Sequence, residues 1–104
     1  MILINSFSAN MVAEFPASVG FTEIGTAVAR RELSGELHSA VGHADTAAVF
    51  AKVLGIPVPC NRETVTLHAG QLAILGQYSG PRLPEGATTL PEGARIKWLL
   101  VEVW

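Results

Sequence analysis

Val41-Gly42-His43-Ala44-Asp45-Thr46-Ala47-Ala48-Val49-Phe50-Ala51-Lys52-Val53-Leu54-Gly55 is the stretch from which the architecture can be read. Ala47, Phe50, Ala51 and Leu54 fall at i, i+3, i+4 and i+7, the spacing of an apolar stripe on a helix, while Asp45 and Lys52 lie off that stripe. The spacing predicts a helix with one face in a core. Gly42 is the expected N-cap, Asp45 places a carboxylate where the first turn has free N–H groups and the positive dipole end, and Gly55 with Pro57 ends the helix. His43 therefore belongs to the helix start, beside backbone donors that favour a bound phosphate. A partly exposed helix-start histidine with no ligand fits the same pattern.

The segments around this helix alternate between strand-like and turn-like composition. Met1 to Asn5 is apolar and β-prone, so it is expected to start a sheet. Ser6 to Phe15 is expected to be helical, with Ser6 or Ser8 as N-cap, an apolar set at Phe7, Met11, Val12 and Phe15, and Pro16 as the stop. A strand running into a helix places Asn5, Ser6, Ser8 and Asn10 where open α/β sheets bind ligands, although the same residues also serve as caps and turn formers. Ala17 to Leu33 reads as a strand followed by an irregular connection, and Ser34 to Val41 as a turn or a single helical turn. Ile56 to Asn61 is stiffened by Pro57 and Pro59. Glu63 to Leu67 alternates like a half-buried strand, His68-Ala69-Gly70 turns, and Gln71 to Tyr78 is a more buried strand expected to pair with it as a hairpin. Ser79 to Gly93 is a loop containing Leu-Pro-Glu-Gly twice, at 83 to 86 and 90 to 93, and Arg95 to Trp104 closes the chain as a strand that is central or at a subunit contact.

These elements make one α/β domain over residues 1–104: a mixed sheet of about five strands flanked by short helices. Hydrophobic residues make up 49% and charged residues 15%, a surplus of apolar surface that points to a homo-oligomer. The net charge of −2 argues against a broad basic surface for duplex DNA, but leaves room for a compact pocket with a few arginines. No apolar run is long enough to span a bilayer and Met1 to Asn5 lacks a basic leader, so no membrane association and a cytoplasmic location are expected. Cys60 is the single cysteine, and His38, His43 and His68 show no metal-ligand spacing. Chemistry with neither metal nor cofactor is the expectation.

The ordered set Leu-Ile-Asn-Ser-Phe-Ser-Ala-Asn-Met at 3 to 11, Ser-Ala-Val-Gly-His-Ala-Asp-Thr-Ala at 39 to 47, Asn-Arg at 61 to 62, Arg-Leu-Pro-Glu-Gly at 82 to 86 and the closing Trp-containing strand resembles the viral ring nuclease family. These are type III anti-CRISPR proteins that degrade cyclic tetra-adenylate. The resemblance implies a homodimeric α/β protein of the cytoplasm, that of the host if the gene is viral, which linearises the ring without a metal. It implies that His43 is catalytic and that Arg82, Glu85 and Arg62 handle the phosphates and the reacting centre. By the same resemblance Asn5, Ser8 and Asn10 contact substrate from the first loop, with Gly42 beside His43. Glu92, in the second Leu-Pro-Glu-Gly turn, has no counterpart in that mechanism.

The residue types suit the reaction. RNA carries its own nucleophile, the 2′-hydroxyl, so cleavage needs in-line geometry, charge stabilisation at phosphorus and a proton for the departing 5′-oxygen. Guanidinium groups provide paired donors for phosphate, and an imidazole provides the proton. Glu85 could orient His43 or an arginine, or assist the 2′-hydroxyl. Two other readings use the same residues: a protein that sequesters a cyclic nucleotide without cutting it, and a dimeric interaction module of a mobile element with no small ligand.

Overall fold

The structure, a computed structural model, describes residues 1–104. It has five strands, β1 (Ile2–Ile4), β2 (Val19–Ile24), β3 (His38–Ala40), β4 (Leu72–Ser79) and β5 (Arg95–Val103), and two helices, α1 (Thr26–Ser34) and α2 (Ala44–Leu54). The strands form one mixed sheet in the order β2-β5-β4-β1-β3. β1 runs parallel to both β3 and β4, with Ile4 opposite Ala40 on one side and Leu75 on the other. β5 is antiparallel to β4 and β2, so it alone opposes the common direction. The carboxyl ends of β1, β3 and β4 consequently share one edge.

Both helices cover one face. Their buried residues Ala29, Leu33, Ala47, Phe50 and Leu54 pack with Leu3, Ile74 and Trp98 from the sheet. Phe50 meets Trp98 edge to face at 5.1 Å between ring centroids, the arrangement aromatic quadrupoles favour. The stripe read from the sequence is the one buried, and Gly55 ends α2 in the left-handed region at φ 74°, with its N–H donating to the Ala51 carbonyl at 2.8 Å.

The other face is covered in part by loops, and several expectations are corrected there. Ser6 to Phe15 is not a helix: only Ala9–Met11 makes a 3-10 turn, because the chain then leaves to form a β-bridge between Val12 and Leu67. Ala13 N–H donates to the Leu67 carbonyl at 2.9 Å and Leu67 N–H to the Met11 carbonyl at 2.6 Å, tertiary bonds that replace helical ones. Glu63 to Leu67 is likewise not a strand of the sheet. Its buried alternate residues, Val65 and Leu67, lie over the sheet with Val12, Leu75 and Val101 instead of within its plane. The expected hairpin with Gln71 to Tyr78 does not form, since β4 has β1 and β5 on its two sides.

Two further segments are more regular than their composition suggests. Residues 26–34 are the helix α1, capped by Gly25, whose carbonyl accepts from Ala29 N–H at 2.9 Å, with Arg30 and Arg31 on its solvent side. His38–Ala40 is the edge strand β3, not a turn; it is held by parallel pairing to β1. The C-terminal strand is interior to the sheet, as expected. No helix is long and apolar enough to cross a membrane.

Gly76 shows how tightly the helix-covered face is packed. A Cβ there would lie 2.6 Å from Phe50 Cζ and 2.7 Å from Trp98 Cζ3, both rings being buried. Gly76→Ala should cost about 1–3 kcal/mol through overpacking. Thermal denaturation should record this as a fall in Tm of roughly 5–20 °C.

Candidate functional site

His43 is the N-cap of α2, one residue later than the Gly42 expected from composition. The reason lies in the preceding strand. Val41 bridges Cys60 and its carbonyl accepts from Asn61 N–H at 2.8 Å, so the chain stays extended through His43 at φ −125° and ψ 128° before turning. The His43 carbonyl accepts the first helical bond, from Ala47 N–H at 2.9 Å. Its side chain makes no capping bond and is exposed, so the ring is free for another partner. The first-turn N–H groups beside it have no acceptor within the helix.

Around this histidine the loops at the carboxyl edge converge. His43 and, from α2, Asp45 and Thr46 share an open cavity of about 380 Å³ with Tyr78, Arg82 and Leu83. β4 reaches this cavity because it continues from Gly76 to Ser79, about 13 Å beyond the end of β1 at 3.3 Å per residue. Gly80, at φ 149°, then turns the chain against Ala94, and the Tyr78 hydroxyl donates to the Pro81 carbonyl just before Arg82. Glu85 is exposed in the next turn, and the following N–H, that of Gly86, donates to Asp45 Oδ1 at 2.9 Å.

Arg62 lies against Gly42. A Cβ on Gly42 would lie 3.7 Å from the Cα, Cβ and Cγ atoms of Arg62, so the arginine backbone and stem rest against the residue next to His43. Asn61 holds that position: its Nδ2 donates to the Ser39 carbonyl at 2.7 Å, while the buried Ser39 hydroxyl donates to the Pro59 carbonyl at 2.6 Å. Arg62 and Arg82 are both exposed, and no lysine or arginine in the chain is engaged in an ion pair.

Asn5, Ser8 and Asn10 line a neighbouring cavity of about 250 Å³, together with Glu63 and Thr64. Ile4 pairs with Ala40, so Asn5 leaves β1 beside Val41, close along the edge to Gly42 and His43. Residues 62–64 run from Gly42, against which Arg62 lies, to the second cavity, which Glu63 and Thr64 line. His38 braces this segment by its hydrogen bond to Glu63. Of the residues named from the sequence, His43 and Arg82 share one cavity and Asn5, Ser8 and Asn10 the other; Gly42 adjoins His43 with Arg62 against it, and Glu85 lines neither cavity. Asp45, Thr46 and Tyr78 also line the His43 cavity; their signal in the sequence is an aspartate two residues past the helix-start histidine and a tyrosine just ahead of Gly80-Pro81. No group of three or more His, Cys, Asp or Glu side chains is placed to hold a metal ion.

The model of the STIV B116-like family matches residues 1–96. The chain belongs to the STIV B116-like family. That is the name under which the viral ring nuclease family is described, in agreement with the resemblance in the motifs. The solved structure of B116 of Sulfolobus turreted icosahedral virus superposes with a TM-score of 0.81 at 26% identity, covering 97% of each chain. No curated protein matches. The five-stranded sheet with two helices on one face is therefore the B116 architecture, and the His43 cavity lies at the carboxyl edge of its parallel strands, where α/β sheets place ligands.

Asn61 gives the site a measurable dependence on its support. Asn61→Ala leaves the Ser39 carbonyl without its side-chain donor and should cost about 1–2 kcal/mol. Urea denaturation should show a lower midpoint with an unchanged m-value.

Proposed function

We propose that this B116-like protein is a metal-independent ring nuclease that binds cyclic tetra-adenylate and cuts it to linear di-adenylates with 2′,3′-cyclic phosphate ends, ending type III CRISPR signalling as an anti-CRISPR protein. The observation that carries this reading is the pairing, in one open cavity, of an arginine free of ion pairs with a histidine whose ring makes no capping bond. Membership of the family supports it.

In the proposed reaction a ring 2′-oxygen attacks the adjacent phosphorus and the bond from phosphorus to the 5′-oxygen breaks. Arg82, with Arg62, donates to the non-bridging oxygens as charge builds there, and the helix start adds backbone donors. Protonated His43 gives its proton to the departing 5′-oxygen. Glu85, presented by the turn beside the cavity, takes the proton released by the 2′-hydroxyl. Asn5, Ser8 and Asn10 line the adjoining cavity, with room for a neighbouring nucleotide. The protein acts in the cytoplasm, where its messenger is made.

A homodimer completes this scheme. The face not covered by helices has an open cavity of about 700 Å³, lined by Phe7, Phe21, Leu75 and Leu99 with Glu23, Lys97 and Gln77, and it reaches Asn5 and Ser6 at the rim. A two-fold partner could bury these apolar side chains and set Glu23 of one protomer against Lys97 of the other, since both charges lie on one patch. Two copies of His43 and Arg82 would then face a ring whose four identical nucleotides have the same symmetry, allowing two opposite bonds to be cut.

The deciding measurement is a single-turnover incubation of labelled cyclic tetra-adenylate with protein in excess EDTA, with products resolved by chromatography. Wild type should yield linear species ending in 2′,3′-cyclic phosphate, and His43→Ala should bind the ring but cut it at least about 10²-fold more slowly. Tight binding without turnover by wild type would make the protein a sequestering one, and absence of both would remove cyclic tetra-adenylate as its ligand.

A further inference from the structure

We propose that Asp45 is a positioning residue, whose carboxylate sets Glu85 toward His43 by holding the turn that carries it; this rests on the ring nuclease reading above. The connection between β4 and β5 contains Leu-Pro-Glu-Gly twice, and both copies fold alike. Ala87 N–H donates to the Pro84 carbonyl at 3.0 Å and Ala94 N–H to the Pro91 carbonyl at 3.0 Å, with Gly86 at φ 80° and Gly93 at φ 82°. These are turns with a left-handed third residue, the position that favours glycine. In such a turn the glycine's own N–H is not used by the turn, so each copy offers one spare donor.

The two spare donors have different fates. Gly86 N–H donates to Asp45 Oδ1 at 2.9 Å, across 41 positions of sequence, whereas Gly93 N–H has no such partner. The other hydrogen bonds of residues 80–94 stay within the β4–β5 connection or come from Tyr78 at the end of β4. Asp45 is thus the one polar tie between this loop and α2. The tie is well anchored, because α2 is held by Ala47, Phe50 and Leu54, each no more than 2% exposed. An acceptor carboxylate also suits the first turn of a helix and bonds an N–H more strongly than a neutral oxygen would.

The tie falls at a useful place. Tyr78 pins the loop at Pro81 and Asp45 pins it at Gly86, leaving Arg82 and Glu85 between two fixed points, while His43 lies two residues before Asp45. Asp45 and Arg82 line one cavity without forming an ion pair, so the guanidinium keeps its donors for phosphate. This accounts for the unequal roles of identical turns: Glu85 is tethered to the helix that bears the histidine, and Glu92 is not.

Two measurements test the proposal, one of them independent of any ligand. By NMR, the Gly86 amide proton should shift more than that of Gly93 as pH is lowered through the carboxylate range, and the excess should vanish in Asp45→Asn. Gly93 is a matched control because Glu92 precedes it as Glu85 precedes Gly86. In single-turnover cleavage of cyclic tetra-adenylate, Asp45→Ala should be at least about 10-fold slower than wild type. Asp45→Asn, which keeps an acceptor oxygen, should recover most of that loss. In a Glu85→Ala background the further loss from Asp45→Ala should fall below about threefold, since positioning has no value once the positioned group is gone. Equal pH-dependent shifts of the Gly86 and Gly93 amide protons, or full additivity of Asp45→Ala with Glu85→Ala, overturns the proposal. An excess Gly86 shift in a wild-type protein that cuts no ring would overturn the ring nuclease reading and the positioning role with it, leaving the tie as a structural bond alone.

Discussion

Ile2–Ile4 is only three residues long, yet its parallel pairing on both sides is the constraint on which the rest of the structure depends. Leu3 pairs with Ser39 on one side and Ile74 on the other, and its side chain is fully buried against the helices. Parallel neighbours cannot be joined by a tight hairpin, so the chain must leave the edge and return before each of them. The returns supply β2 with α1, and α2 with the long loop over the open face. The same pairing delivers the ends of β1, β3 and β4 to one edge, where the loops bearing Asn5, His43 and Arg82 begin.

Where local pattern and tertiary role coincide, the sequence could be read directly. The stripe Ala47, Phe50, Ala51 and Leu54 is both a helical period and a buried face, and Gly55 is both a stop signal and a left-handed cap. β4 and β5 are long, apolar strands with neighbours on both sides, so their composition is unambiguous. The misreadings occur where the two diverge. α1 buries only Ala29 and Leu33, too narrow a stripe to stand out among glycines and threonines. β3 is a polar edge strand of three residues whose order comes from pairing with β1. Val65 and Leu67 have the alternation of a strand because they cover a sheet, an arrangement that imposes the same period as belonging to one.

The candidate site was legible by residue type but not by connection. A histidine at a helix start and an arginine in a loop can be named from sequence, whereas their sharing of a cavity depends on how far β4 runs past β1 and on the turn at Gly80. The N-cap shifted by one residue because Val41 is tied to the segment after Pro59, a contact that no local rule contains. That shift has a chemical consequence. A helix starting with Gly42 as cap would place His43 within the first turn, while the observed start leaves the imidazole outside the helix with no capping duty.

Net charge says little about what such a site can bind. The chain carries two more acidic than basic residues, yet both of its ion pairs join a histidine to a glutamate, His38 with Glu63 and His68 with Glu14. Every lysine and arginine therefore remains unpaired, while two of the nine carboxylates are engaged. Asp45 goes further in the same direction, because its negative charge lies in the His43 cavity but is directed to a backbone N–H. The field that an incoming anion meets is set over roughly 8–10 Å at physiological salt, so the local arrangement of Arg62, Arg82 and the helix start outweighs distant acids. An acidic protein can thus hold a local site for an anion, since Asp45 is turned to a backbone N–H and Arg62 and Arg82 are free of ion pairs.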